Sequence, residues 1–142
     1  MSEKDGTIPG HLKNINVLIA EDEEYNYLFL NEVLRKYNIN QVRAYNGKMA
    51  IDICASNPQI HLVLMDLRMP VIDGLEATRQ IKKLRPKLPV IAQTAHAMDS
   101  DREMVMAEGF DNYISKPIKA KELYDIILEY APKSCPVVKR EV

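Results

Sequence analysis

The sequence predicts an α/β fold: a doubly wound, five-stranded parallel sheet with helices on both faces. Three observations predict it. Apolar residues come in short runs of strand length, and these runs alternate with segments in which apolar residues recur at helical spacing. Five such pairs fill about residues 14–131. The composition, 46% hydrophobic and 27% charged in 142 residues, suits one domain with a buried core rather than a disordered chain. Parallel strands joined by right-handed crossovers, with helices on both sides, have few solutions, and strand order 2-1-3-4-5 is one of the two common ones.

Taken in order, the first strand is Ile15 to Ala20, followed by a helical stripe of Tyr27, Leu30, Val33, Leu34 and Tyr37. The second strand is Val42 to Tyr45, and its helix carries Ala50, Ile53 and Cys54. The third is Leu62 to Met65. Its helix begins with a capping box, Asp73-Gly-Leu-Glu76, in which Asp73 accepts from backbone N–H groups and Glu76 reaches back; it carries Ala77, Thr78, Ile81 and Leu84 and is closed by Pro86. The fourth strand, Val90 to Gln93, precedes a weaker stripe around Met104 and Val105. The fifth, Tyr113 to Ser115, precedes a clear one at Leu123, Ile126, Ile127 and Tyr130, ending at Ala131-Pro132. Residues 1–13 read as a leader or linker, 14–131 as the folded domain and 132–142 as a tail.

Nineteen Lys and Arg stand against 20 Asp and Glu, a formal net charge of -1, which speaks against a dedicated nucleic-acid binder. Apolar stretches such as Val17 to Ala20 and Leu62 to Met65 are far shorter than the roughly 20 residues that span a bilayer. The N-terminus shows no apolar signal segment, so a cytoplasmic location is expected. Cys54 and Cys135 form neither a disulfide framework nor a metal-ligand spacing and are read as incidental. His11 and His61 are read as solvated, and Tyr25, Tyr27, Phe29 and Tyr37 as core and rim.

Ligands of such sheets bind outside the carboxyl ends of the strands. There the chemistry collects. Glu21 and Asp22 follow the first strand and Asp66 ends the third, so three acids meet at one edge. Packed carboxylates repel one another unless a cation neutralises them, and hard oxygen donors with open positions suit Mg2+ or Mn2+. Thr94 ends the fourth strand with a hydroxyl, and Lys116 follows the fifth with an ammonium. These are the parts of phosphoryl transfer to a carboxylate: metal and lysine neutralise the phosphoryl oxygens, the hydroxyl donates, and Asp66 attacks. Taken singly each has a plainer reading, the acids as partners of the next helix's N-terminus and Asp66 as a turn residue; the four strand ends together do not.

Four segments carry a family resemblance: Val17-Leu-Ile-Ala-Glu-Asp-Glu23, Leu62-Val-Leu-Met-Asp-Leu-Arg-Met-Pro-Val-Ile-Asp-Gly74, Val90-Ile-Ala-Gln-Thr-Ala95 and Tyr113-Ile-Ser-Lys-Pro117. Over about residues 15–130 the chain resembles the response-regulator receiver domain of two-component phosphorelays, a flavodoxin-like (βα)5 fold. The resemblance implies that Asp66 is phosphorylated from a phosphohistidine, that Glu21, Asp22, Asp66 and the backbone carbonyl of Arg68 hold Mg2+, and that Thr94 and Lys116 contact the phosphoryl group. Glu21 stands where Asp is commoner, and its longer side chain is expected to reach the metal through water. Tyr113 is implied as the aromatic that turns inward with Thr94, and the Lys116-Pro117 peptide as cis. Arg68 and His96, two residues past Asp66 and Thr94, are expected to overhang the phosphoryl group and tune its lifetime.

The implied partner is a histidine kinase or a histidine phosphotransfer domain, with dimerisation through the fourth helix, fifth strand and fifth helix as a further possibility. No direct contact with nucleic acid or membrane is expected. The segments Ala92 to Met98 and Gly109 to Ile118 are similar to receivers within hybrid sensor histidine kinases, so the expected context is such a kinase. The alternative is a free-standing single-domain regulator acting by protein binding. In enzymatic terms, a receiver catalyses its own phosphorylation and dephosphorylation, and the hybrid parent would be a kinase. A small-molecule phosphatase fits poorly, since Arg68 stands where such enzymes need a second acid. A nucleotide or flavin carrier fits no better, because no Gly-rich loop follows the first strand.

Overall fold

The five apolar runs become five strands of one parallel sheet, described with its helices over residues 14–95 and 99–132 of a computed structural model. The elements run β1 (Asn16–Ala20), α1 (Glu24–Lys36), β2 (Asn40–Ala44), α2 (Gly47–Ser56), β3 (Leu62–Asp66), α3 (Gly74–Leu84), β4 (Val90–Thr94), α4 (Asp99–Ala107), β5 (Asn112–Ser115) and α5 (Ala120–Tyr130). The sheet order is β2-β1-β3-β4-β5, as expected. Because side chains alternate across a strand, the sheet divides the core in two. Val17 and Ile19 of β1 join Leu30, Val33 and Leu34 of α1 and Leu123 and Ile127 of α5 on one face. Leu18 and Ala20 join Ala50 and Cys54 of α2, Ala77 and Ile81 of α3 and Val105 of α4 on the other. β3 and β4 are buried along their whole length, as strands covered on both faces must be.

Strand bounds differ from the apolar runs where backbone pairing, not side-chain polarity, decides them. β2 starts at Asn40, two residues before its apolar run, because Asn40 pairs with Asn16; β3 and β4 each take in one polar residue, Asp66 and Thr94. The helix caps follow the sequence in part. Asp73 accepts from the Glu76 N–H at 2.9 Å. The reciprocal bond expected from Glu76 is absent: its carboxylate is taken by Arg79 and by Gln80 Nε2. α1 is capped by Glu23, which accepts from the Asn26 N–H at 2.8 Å.

At the amino ends of the strands, the Arg85 guanidinium donates to the carbonyls of Asn57 (3.1 Å) and Ile60 (2.7 Å), tying the end of α3 to the turn before β3. His61 is not solvated as expected. It is half-buried, and its Nδ1 accepts from the Asn16 N–H at 3.0 Å while the His61 backbone N–H donates to the Asn16 carbonyl. Burial, reinforced by the Arg85 charge, lowers the His61 pKa. The unfolded chain, with an ordinary imidazole near 6.5, therefore binds the proton first, so stability falls as pH drops from about 6.5 toward the lower folded-state value. Protonation also turns Nδ1 from an acceptor into a donor facing a donor. We expect urea midpoints of wild type to fall more between pH 7.5 and pH 5.5 than those of His61→Gln. Equal falls in both proteins would place the acid sensitivity elsewhere.

Cys54 is buried in α2 and its thiol is pushed up to about 11, mainly by burial, which leaves it unreactive near neutrality. Tyr27 and Tyr37 pack against the core, whereas Tyr25 is 82% exposed and Phe29 sits at the rim. Among the described residues no helix is long and apolar enough to cross a membrane. His11 and Cys135 lie outside the described residues.

Candidate functional site

A parallel sheet sets all its carboxyl ends along one edge, and here that edge opens into a cleft of about 680 Å³ lined by Asp22, Asp66, Arg68, Gln93, Thr94 and Lys116 among others. Glu21 follows β1, Asp66 ends β3, Thr94 ends β4 and Lys116 follows β5. The structure brings the three acids together: one carboxylate oxygen from each of Glu21, Asp22 and Asp66 lies within 4.8 Å of the others. Glu21 is fully buried, Asp66 is 6% exposed and Asp22 is exposed toward solvent. The Lys116 ammonium stands 3.3 Å from Asp66 Oδ1 and 3.6 Å from Glu21 Oε1. Asp66 Oδ1 also accepts from the Arg68 N–H at 3.3 Å. Thr94 is buried at the cleft.

Local backbone rules hold these groups in place. Gly74 passes so close to β3 that a Cβ there would lie 2.2 Å from the Asp66 carbonyl oxygen, so the loop after Asp66 returns to the strand only because this residue has no side chain. In the same loop Val71 has φ of 71°, a left-handed conformation that a β-branched residue adopts at a cost of about 1–3 kcal/mol. The Lys116 N–H bonds the Thr94 carbonyl at 2.8 Å, fixing the two strand ends to one another. The Lys116-Pro117 peptide is cis, as expected.

The balance of charge is unfavourable to the acids. Burial pushes the Glu21 pKa up to about 7; the Asn26 hydrogen bond works against this and the Asp66 charge adds to it. Three carboxylates face one ammonium. A divalent cation bound among them would remove that repulsion, and the donors, all hard oxygens, are those Mg2+ prefers.

Arg68 is exposed and lines the cleft, and Tyr113 is half-buried on β5 with the Arg102 guanidinium 5.8 Å from its ring centre. His96 lies outside the described residues. Two residues at the site were not singled out in the sequence. Asn26 of α1 donates from Nδ2 to Glu21 Oε1 at 2.5 Å and to Gln93 Oε1 at 2.8 Å. Gln93, the residue before Thr94, is fully buried, and its Nε2 has no hydrogen-bond partner among the described residues. A buried orphan donor of this kind costs about 1–3 kcal/mol. The visible signal for Gln93 was one amide in an otherwise apolar Val90-Ile-Ala-Gln run; Asn26 gave none.

Residues 17–128 match the family described as response regulator receiver domain. Over 119 residues the chain is 39% identical to hybrid signal transduction histidine kinase I of Dictyostelium discoideum, covering 78% of this chain but 7% of that protein. It is 36% identical over 118 residues to the polar-differentiation response regulator DivK of Brucella anthropi, covering 81% of this chain and 94% of that one. Among solved structures, the receiver domain of the Saccharomyces cerevisiae response regulator Ssk1, crystallised with the histidine phosphotransfer protein Ypd1, superposes with a TM-score of 0.79. That match is at 30% identity and covers 90% of this chain and 99% of that one. The receiver domain of a Pseudomonas aeruginosa sensor histidine kinase, with a magnesium ion coordinated in its active-site cleft, superposes with a TM-score of 0.76 at 31% identity, covering 82% and 96%.

Proposed function

The chain belongs to the response regulator receiver domain family of two-component systems, and we propose that it takes a phosphoryl group from a phosphohistidine onto Asp66. The observation that carries this reading is the placement of Asp66: a nearly buried carboxylate within 4.8 Å of two further acids, with the Lys116 ammonium 3.3 Å away. An Asp66 carboxylate oxygen attacks phosphorus as the P–N bond to the donor imidazole breaks, and that bond's electron pair stays on the imidazole nitrogen. Lys116 meets one phosphoryl oxygen and the Thr94 hydroxyl donates to another, so charge that builds on the equatorial oxygens is met by groups already in place. Glu21, Asp22, Asp66 and the Arg68 carbonyl hold Mg2+ in this reading. When bound, the ion supplies positive charge at the phosphoryl oxygens.

Thr94 drawn toward the phosphoryl group makes room for the Tyr113 ring, which carries the change to α4, β5 and α5, the face also proposed for dimerisation. Arg68, at the mouth of the cleft, and His96 are proposed to set how long the phosphoryl group lasts. The donor is a histidine kinase or a histidine phosphotransfer protein, and the likeness to a receiver crystallised with such a protein supports this. The context we favour is a hybrid histidine kinase in the cytoplasm, supported by the 39% identity to one, of whose length this chain spans 7%. The coverage of DivK, 94%, favours the second reading, a single-domain regulator acting by protein binding. A net charge of -1 gives no support to nucleic-acid binding.

Incubation with acetyl phosphate and Mg2+ tests the chemistry without knowledge of the donor. Intact-mass spectrometry should show one added phosphoryl group, lost on hydroxylamine treatment as an acyl phosphate is, and none when the metal is chelated. A chain that stays unlabelled with Mg2+ present, or labels equally in chelator, would overturn the reading.

A further inference from the structure

With Glu21 ionised, the bonds around Asn26 can be arranged in only one way. Glu21, as a carboxylate, accepts and does not donate, so the Asn26 atom that meets Oε1 must be the amide nitrogen. That nitrogen has two hydrogens, and the second meets Gln93 Oε1. Turning either amide over would set oxygen against oxygen or nitrogen against nitrogen. Glu21 is fixed further by the Glu23 N–H, which bonds its Oε2 at 3.1 Å. Gln93 Oε1 is therefore committed to Asn26, and the Gln93 Nε2, in a fully buried residue at the edge of the cleft, has no partner among the described residues. A strand that keeps an orphan donor in its core where an apolar residue would pack without one is keeping the other end of that amide for use.

We propose that Asn26 is a positioning residue for the metal site, acting through Glu21, with Gln93 as the anchor that fixes its amide. The proposal rests on the phosphoacceptor reading of the cleft. Asn26 projects from α1, Glu21 from the end of β1 and Gln93 from β4, so one amide nitrogen joins three elements at the point where the acids converge. It holds Glu21 Oε1 beside Lys116 and Asp66 rather than letting a long side chain sample other rotamers. Because Gln93 directly precedes Thr94, the same bond ties the metal end of the cleft to the strand that carries the hydroxyl. Partners of this kind, which orient a ligating carboxylate without touching the ion, typically change metal affinity by 10–100-fold when removed.

The test measures Mn2+ binding by water-proton relaxation, which follows weak as well as tight sites, on the full chain, with folding checked in chelator by circular dichroism. Asn26→Ala should weaken Mn2+ binding by about tenfold or more. Gln93→Leu should weaken it in the same direction, and the double variant should bind no worse than Asn26→Ala alone, since the two act as one unit. In a Glu21→Ala background, Asn26→Ala should cost nothing further, whereas a residue that merely supports the fold would cost the same again. Asn26→Ser, which keeps one donor, is the second variant and should fall between wild type and Asn26→Ala. Binding by Asn26→Ala within twofold of wild type, or an equal loss with and without Glu21, overturns the positioning role while wild-type Mn2+ binding and Asp66 labelling leave the phosphoacceptor reading standing. A wild-type chain that neither binds the ion nor labels sinks both.

Discussion

Asp66→Asn is expected to take up no phosphoryl group from acetyl phosphate or from a phosphohistidine donor, under conditions that label wild type. An amide oxygen shares its electron pair with nitrogen and is a far weaker nucleophile than a carboxylate, while the replacement keeps the size and shape of the side chain. None of the other acids described at the cleft is placed to take over the role: Glu23 and Asp73 cap helices. Glu21 is fully buried with both its oxygens engaged by Asn26 and the Glu23 N–H, and Asp22 stands toward solvent. The loss should come without loss of fold. Asp66 gives up its ion pair with Lys116, but its charge is also one of the causes that raise the Glu21 pKa, so removing it relieves a repulsion between acids. We expect the melting temperature of Asp66→Asn in chelator to equal or exceed that of wild type. Labelling at the wild-type level would sink the assignment of Asp66; a variant that is unlabelled because it is unfolded would show itself by circular dichroism.

The sheet order and the four strand-end groups were legible because both depend on local pattern. An apolar run of strand length followed by a helical stripe fixes a βα unit, and a parallel sheet then brings Glu21, Asp66, Thr94 and Lys116 to one edge whatever the loops do. What sequence reasoning missed are contacts between residues far apart in the chain. Asn26 meets Gln93 across 67 positions, and His61 meets the Asn16 N–H across 45, so neither partner is visible from either end. Arg43 of β2 is a third case, its guanidinium 4.0 Å from the ring centre of Tyr27 and 4.2 Å from that of Tyr45. The capping box failed for a different reason: the motif fixes Asp73 to the Glu76 N–H, but Glu76 also has Arg79 and Gln80 one turn on, and a carboxylate beside a guanidinium and an amide prefers them to a backbone group.

Mg2+ should change the sign of the effect of Asp22→Ala on stability. Asp22 is exposed, and no hydrogen bond from another described residue holds it, so in chelator its removal costs the fold little and takes one charged group from a crowded cluster of three acids. The variant should then melt with or slightly above wild type. With Mg2+ the order reverses. An ion that binds the folded acid cluster and not the unfolded chain stabilises by roughly 2.7 kcal/mol at 100 times its dissociation constant. At about 3–5 °C per kcal/mol for a domain of this size, wild type should gain on the order of 10 °C in melting temperature. Asp22→Ala should gain only a small part of this, because a hard cation that sheds its water reluctantly loses one of its few charged ligands. A crossing of the two melting temperatures between chelator and Mg2+ is therefore the expected result, read by scanning calorimetry at several ion concentrations. Equal gains in both proteins would put the ion somewhere other than the cleft between β1 and β3, and a variant already lower by the same margin in chelator would make Asp22 a support of the fold rather than a ligand.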